Sequence, residues 1–85
     1  MIIRVTQRDI KMGVPGVVSG CAVALALSRQ LKPRRKLAVS VGDTYDIRGI
    51  ENDIPLPKKV QRFITKFDAS EPVKPFTFRT RRPRF

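Results

Sequence analysis

The spacing of apolar positions changes several times along the chain, and each spacing predicts an element. Residues 1–5 are β-branched and apolar apart from one arginine, which predicts a first strand. Residues 6–9, Thr-Gln-Arg-Asp, have the spacing of a capping box, so a short helix is expected to run to Met12. Gly13 is expected to end that helix in the left-handed conformation, and residues 13–16 to form a turn.

A second helix is predicted over residues 20–31, with Ser19 as its N-cap. Alanine and leucine dominate this segment, and both are strong helix formers. Residues 21–27 are apolar on nearly all sides of the helix, which predicts a central, buried helix. This apolar run is far shorter than the ~20 residues that a membrane span requires.

Two segments that alternate apolar and polar residues, 37–41 and 45–48, predict a hairpin. The loop between them has either two residues, 42–43, or three, 42–44. Only the three-residue loop collects the apolar side chains on one face, so burial of that face favours it. Its register pairs Val41 with Tyr45 and Val39 with Ile47.

The next segments predict a loop, a third helix and a last strand. Residues 51–53, Glu-Asn-Asp, are predicted to form a polar loop, and Pro57 is well placed at the first helical position. The apolar stripe of this helix has the spacing i, i+3, i+4, i+7 and consists of Val60, Phe63, Ile64 and Phe67. Residues 76–78, Phe-Thr-Phe, predict a closing strand.

The resulting order, β-α-α-β-β-α-β, predicts a small α+β domain over residues 1–78. In this arrangement the central buried helix packs on an antiparallel sheet, and the third helix lies beside it. Residues 79–85 hold four arginines and no acidic residue, and they are interpreted as a flexible basic tail.

Composition excludes most catalytic and metal chemistry. The chain has no histidine and a single cysteine, which argues against a metal centre, a disulfide framework and the usual general base, and no cofactor is expected. Cys21 is interpreted as a buried, inert thiol, although a position near a helix N-terminus would favour its thiolate. Asp43 and Asp46 are interpreted as a turn residue and a cross-strand partner. The sequence therefore predicts a protein that is not an enzyme.

Charge is the feature that points to a partner. Lys and Arg number 18 and Asp and Glu number 7 in 85 residues, which gives a net charge of +11. Cationic side chains neutralise phosphates and release counterions, so nucleic acid is the expected partner. The candidate binding residues form three clusters along the chain: Arg34, Arg35 and Lys36; Lys58, Lys59, Arg62 and Lys66; and Arg79, Arg81, Arg82 and Arg84.

Two alternatives to nucleic acid remain open. Each basic cluster could be a solvated face, or it could bind an acidic protein surface. A membrane-surface role is disfavoured, because the apolar stripe of the third helix is needed for the core. The chain also lacks the sequence signature of a helix-turn-helix, of an aromatic ribonucleoprotein motif or of a KH domain, so the prediction does not extend to a mode of binding.

Four stretches of sequence, taken in chain order, carry a family resemblance. They are residues 5–7 with Ile10 and Gly13, residues 21–27, residues 39–42 and residues 63–78. Together they resemble a family of small uncharacterised proteins of bacteriophages and actinobacteria. Relatives often carry a Cys-x-x-Cys before the alanine-leucine helix, but here Val18 holds the first place and only Cys21 remains.

The resemblance implies a phage-type context and no known activity. The leading hypothesis is a non-enzymatic, phage-type binding protein that contacts nucleic acid or a nucleoprotein in the cytoplasm of a bacterial host. The alternative hypothesis is a phage-encoded inhibitor that docks on a host protein, such as a polymerase or a defence nuclease.

Overall fold

The computed structural model describes residues 1–31, 39–47, 51–81 and 83. The helices are α1 (Gln7–Met12), α2 (Ala22–Leu31) and α3 (Lys58–Asp68). The strands are β1 (Ile2–Val5), β2 (Val39–Val41), β3 (Thr44–Ile47), β4 (Glu51–Pro55) and β5 (Phe76–Arg79). The predicted α+β class is confirmed, and the order contains one strand more than predicted.

The strands form two antiparallel sheets, β1-β5 and β2-β3-β4. In the second sheet the hairpin register predicted from burial is confirmed, since Val39 pairs with Ile47 and Val41 with Tyr45. All four of these side chains are at most 4% exposed. The face that decides the register is thus the face that enters the core.

Strand β4 lies where a polar loop was predicted, and that prediction is wrong. Ile54 pairs with Tyr45 and Glu51 with Ile47, so two residues of β4 oppose the single residue Asp46. This is a β-bulge: Asp53 has a φ of 57°, and its N–H donates to the Asp46 carboxylate at 2.7 Å. A strand at the edge of a sheet tolerates a bulge, polar side chains and a proline, so its sequence is typical of a loop.

Helix α2 occupies the centre of the molecule, as predicted, and contacts β1, β2 and α1. Five of its side chains are fully buried: Ala22, Val23, Ala24, Ala26 and Leu27. The predicted start at Gly20 and the predicted N-cap at Ser19 are wrong. Cys21 caps the helix instead, because its carbonyl accepts from Leu25 N–H at 3.0 Å and its Sγ accepts from Ala24 N–H at 3.5 Å.

The predicted capping box of α1 is confirmed. The Thr6 hydroxyl accepts from Asp9 N–H at 3.2 Å, and the Asp9 carboxylate accepts from Thr6 N–H at 2.8 Å. The same carboxylate pairs with Arg29 of α2 at 2.8 Å, which joins the two helices.

The predicted left-handed conformation of Gly13 is wrong, since its φ is −71°. Glycine is needed there for a different reason. A Cβ would lie 2.7 Å from Ala22 N and 2.9 Å from Asp9 O, so only glycine permits this close approach of α1 to α2.

The folded part of the chain extends past residue 78, where the tail was predicted to begin. Arg79 belongs to β5, and the Thr80 N–H donates to the Met1 carbonyl at 3.0 Å. The Thr80 hydroxyl lies 3.0 Å from the buried Tyr45 hydroxyl, and Arg81 pairs with Glu51. The structure therefore places residues 79–81 in the domain, and Pro83 is also buried. The remaining residues of the predicted tail lie outside the described part of the chain.

Candidate functional site

Helix α3 separates its apolar and cationic side chains onto two faces. Val60, Phe63 and Phe67 are buried, which confirms most of the predicted stripe, and Ile64 is half-buried. The four predicted cationic residues of this helix are all exposed: Lys58, Lys59, Arg62 and Lys66. At about 100° per residue they fall within one sector of roughly 100°, so the helix presents them as a single stripe.

The chain reverses direction at the end of α3. Ser70 has a φ of 58°, Glu71 N–H donates to the Lys66 carbonyl at 2.9 Å, and Ser70 N–H donates to the Phe67 carbonyl at 3.0 Å. This pair of bonds is a Schellman motif, with serine in the position that glycine usually holds. Because of this reversal, the segment 72–75 returns alongside α3.

A groove of about 470 Å³ lies between α3 and the returning segment. We call it the α3 groove. Its cationic lining residues are Lys59, Arg62, Lys66 and Lys74, and its other lining residues are Phe63, Pro72, Val73, Pro75 and Phe76. None of these described lining residues is acidic. The two aromatic rings lie with their centroids 4.6 Å apart, so the groove has an apolar floor and a cationic rim.

Lys74 is the functional candidate that sequence reasoning missed. It stands alone between Val73 and Pro75, so no run of charge marks it. Its place on the groove depends on the left-handed Ser70, and no sequence signal predicts that conformation for a serine.

A second groove, of about 440 Å³, continues from the first one along β5. We call it the β5 groove. Lys59 lines both grooves, and Arg79 adds a further cation to the second. The structure thus brings Lys59, Arg62, Lys66 and Arg79 of the predicted set onto two adjoining grooves.

Two other predicted residues lie apart from the α3 groove. Lys58 lines a third groove, which Arg62 also borders and where Asp43 and Asp68 face the same space, so the charge there is mixed. Arg81 donates to Glu51, and this hydrogen bond raises the pKa of its guanidinium. Neither Lys58 nor Arg81 lines the α3 groove or the β5 groove.

Five predicted binding residues fall outside the described part of the chain. They are Arg34, Arg35, Lys36, Arg82 and Arg84. The candidate site is therefore built from the residues of α3, the segment 72–75 and β5.

Cys21 is placed where a thiol is unreactive. Its side chain is 3% exposed, and burial raises its pKa above the ordinary value of 9.0. The backbone N–H groups of Ala24 and Val23 act in the opposite direction but are weaker than burial. The expected lowering of the thiol pKa by the helix N-terminus is thus overcome by desolvation.

The other candidate chemistries have structural explanations. Asp46 accepts from the Asp53 backbone and thereby holds the β-bulge of β4. No group of three or more Asp, Glu, Cys or His side chains that could hold a metal ion occurs among the described residues. None of the helices within the described ranges has the length and apolar character that a membrane crossing requires.

Comparisons of this chain with protein-family models, with curated proteins and with solved structures find no match.

Proposed function

We propose that this chain is a non-enzymatic, phage-type protein of the bacterial cytoplasm that binds nucleic acid, alone or within a nucleoprotein, through the α3 groove. The observation that supports this proposal is the lining of that groove, where four cations and no described carboxylate surround an apolar floor. The phage-type context is an expectation from the sequence resemblance.

The rim of the groove suits a phosphate backbone. Lys59, Arg62 and Lys66 are close to one another along the exposed stripe of α3, and Lys74 faces them from the returning segment. Each cation that neutralises a phosphate releases counterions, and this release supplies most of the affinity in non-specific nucleic-acid binding. A net charge of +11 adds long-range attraction for any polyanion.

The floor of the groove favours unpaired bases over a duplex. Phe76 is half-buried and Phe63 is 8% exposed, so Phe76 supplies most of the aromatic surface that a ligand in the groove would meet. Bases of single-stranded nucleic acid stack on aromatic side chains with about 1–3 kcal/mol per base. A duplex keeps its bases inside and would use only the rim.

The proposal is tested with a pair of charge-matched double variants. Lys59→Ala with Lys66→Ala removes two cations from the groove, whereas Arg8→Ala with Lys11→Ala removes two exposed cations from α1. Both variants have the same net charge. Affinity for a short fluorescein-labelled thymidine oligonucleotide is measured by fluorescence anisotropy at low salt.

We expect the groove variant to lose on the order of 10- to 100-fold in affinity and the α1 variant to lose less than about threefold. Equal losses in the two variants would mean that only net charge matters, and the α3 groove would not be the site. Absence of binding by the unaltered protein at low salt would remove the proposal altogether.

A further variant separates nucleic acid from other polyanions. Phe76→Leu keeps an apolar side chain in the floor but removes the ring. It should weaken binding of the oligonucleotide and leave binding of inorganic polyphosphate unchanged, because polyphosphate has no bases to stack. Equal effects on both probes would limit the site to phosphate recognition.

A further inference from the structure

The hydrogen-bond pattern of the β1-β5 sheet determines which backbone groups of β5 face outward. Met1 and Thr80 exchange two bonds, from the amino terminus to the Thr80 carbonyl at 2.8 Å and from Thr80 N–H to the Met1 carbonyl at 3.0 Å. In an antiparallel pair such residues alternate with residues whose N–H and C=O point away from the partner strand. The backbone groups of Thr77 and Arg79 therefore point away from β1.

The two outer edges of this sheet differ in how they are satisfied. On the β1 edge the Gln30 carboxamide accepts from Arg4 N–H at 2.8 Å and donates to the Arg4 carbonyl at 2.5 Å. This side chain imitates a neighbouring strand and closes the β1 edge at Arg4. On the β5 edge no described residue bonds the outward N–H and C=O groups of Thr77 and Arg79. Such an open edge is a template for another strand.

The β5 groove runs alongside this open edge. It is lined by Thr77, Phe78 and Arg79 of β5 and by Pro57 and Lys59 at the α3 N-terminus, and it extends over the sheet face to Ile2 of β1. The Thr77 and Arg79 side chains are exposed. A strand that entered the groove would thus meet backbone donors and acceptors on one flank and a helix end on the other.

The charges of the two adjoining grooves favour an acidic segment as the strand that enters. Lys59 and Arg79 line the β5 groove, and three more cations line the α3 groove beyond it. No acidic residue is among the described lining residues of either groove. A segment with carboxylates at alternate positions would place them on one face, about 6.6–6.8 Å apart, within reach of these cations.

We propose that the open edge of β5 accepts an extended, acidic segment of a partner protein as a third strand of the β1-β5 sheet. Backbone bonds to Thr77 and Arg79 supply affinity, and carboxylate contacts to Lys59 and Arg79 supply selectivity. This goes beyond the proposed nucleic-acid function, because the ligand is a protein segment and the recognising groups are main-chain. It also gives the chain a physical means of docking on another protein.

The proposal is tested by NMR on the full-length, ¹⁵N-labelled protein with three synthetic peptides. One alternates valine and glutamate, one alternates valine and lysine, and one has the first composition with proline at alternate positions, so that it cannot form a ladder. In the free protein the amides of Thr77 and Arg79 should exchange quickly with solvent, while that of Phe78 is protected by β1. The valine-glutamate peptide alone should protect Thr77 and Arg79.

Thr77→Pro provides the sharpest variant. It removes the outward N–H of β5 but no bond of the β1-β5 ladder, which is the arrangement in which edge strands tolerate proline. It should weaken peptide binding by about tenfold or more and leave oligonucleotide affinity unchanged, whereas Thr77→Val, which keeps the N–H, should bind the peptide normally. If Thr77→Pro does not fold, Lys59→Glu replaces it and should reverse the preference toward the valine-lysine peptide.

Three results would overturn this proposal. The first is that the valine-glutamate peptide does not bind at millimolar concentration. The second is that it binds without protecting the Thr77 and Arg79 amides, or binds equally well to Thr77→Pro. The third is that the oligonucleotide, and not the peptide, protects these amides, which would assign the edge to nucleic acid.

Discussion

Replacing Gly13 by alanine tests the close approach of α1 to α2. The added Cβ would lie 2.7 Å from Ala22 N, 2.9 Å from Asp9 O and 3.0 Å from Ala22 Cα. All three atoms are backbone atoms, so no side-chain rotation relieves the contact. Either α2 moves away from α1 by more than half an ångström, or the Gly13 N–H gives up its 2.9 Å bond to the Asp9 carbonyl.

The size of the effect follows from these two routes. Overpacking costs about 1–3 kcal/mol, and the lost hydrogen bond costs about 0.5–1.5 kcal/mol. Because the protein takes one route or the other, we expect Gly13→Ala to lower the free energy of unfolding by about 1–3 kcal/mol. For 85 residues the whole free energy is roughly 4–13 kcal/mol, so the loss is a large share of it.

The assay is urea unfolding followed by circular dichroism, with Gly42→Ala as the matched control. A Cβ at Gly42 would have Thr44 O at 3.9 Å as its nearest atom, and Gly16 is the one described glycine with a positive φ. Gly42→Ala should therefore be neutral or up to about 1 kcal/mol more stable. Gly13→Ala should shift the urea midpoint down by about 2 M at unchanged slope. A midpoint equal to that of the unaltered protein would refute the packing argument.

Three further predictions concern other parts of the fold. Ser70→Gly should stabilise the protein by about 0.5 kcal/mol in urea unfolding. The release of about 1–2 kcal/mol of left-handed backbone strain exceeds the cost of the entropy that glycine adds to the unfolded chain. A loss of stability would contradict the Schellman geometry. Thr80→Val should cost about 1–3 kcal/mol, since it leaves the buried Tyr45 hydroxyl without its partner, and Tyr45→Phe should cost less because Thr80 keeps a bond to the Arg81 carbonyl. Burial raises the pKa of the Cys21 thiol above 9.0 in the folded protein. The neutral thiol therefore contributes its full stability below pH 9.0, and this contribution is lost as the pH rises through the folded-state pKa. The decline in urea midpoint above pH 9.0 should be smaller in Cys21→Ala than in the unaltered protein, and an identical decline would contradict this reasoning.

The elements that the sequence predicts well are those that burial alone determines. The β2-β3 register follows from placing Val41, Tyr45 and Ile47 on one face, and the stripe of α3 follows from helical spacing. The capping box of α1 is also predictable from the sequence, because its two residues are only three positions apart. In each case the deciding interaction involves near neighbours or a single apolar face.

The features that escape prediction depend on contacts between distant segments. The sequence of β4 is typical of a loop because β4 is an edge strand, and its bulge forms only where it pairs with β3. Cys21 rather than Ser19 caps α2, a role for which cysteine gives no sequence signal. The backbone N–H and C=O of Thr77 point away from β1, and this direction follows from the pairing of β5 with β1, at the other end of the chain. Only that pairing shows which amides of β5 have no partner within the sheet.

The most direct test of the α3 groove as a nucleic-acid site is the salt dependence of oligonucleotide affinity. With four cations at the groove, the slope of log K against log salt should be about −3 for a single strand, at roughly −0.7 per neutralised phosphate. Lys74→Ala should make that slope less negative by about 0.7, whereas Lys11→Ala should leave it unchanged. If Lys74→Ala and Lys11→Ala give the same slope, the groove is not where the phosphates lie.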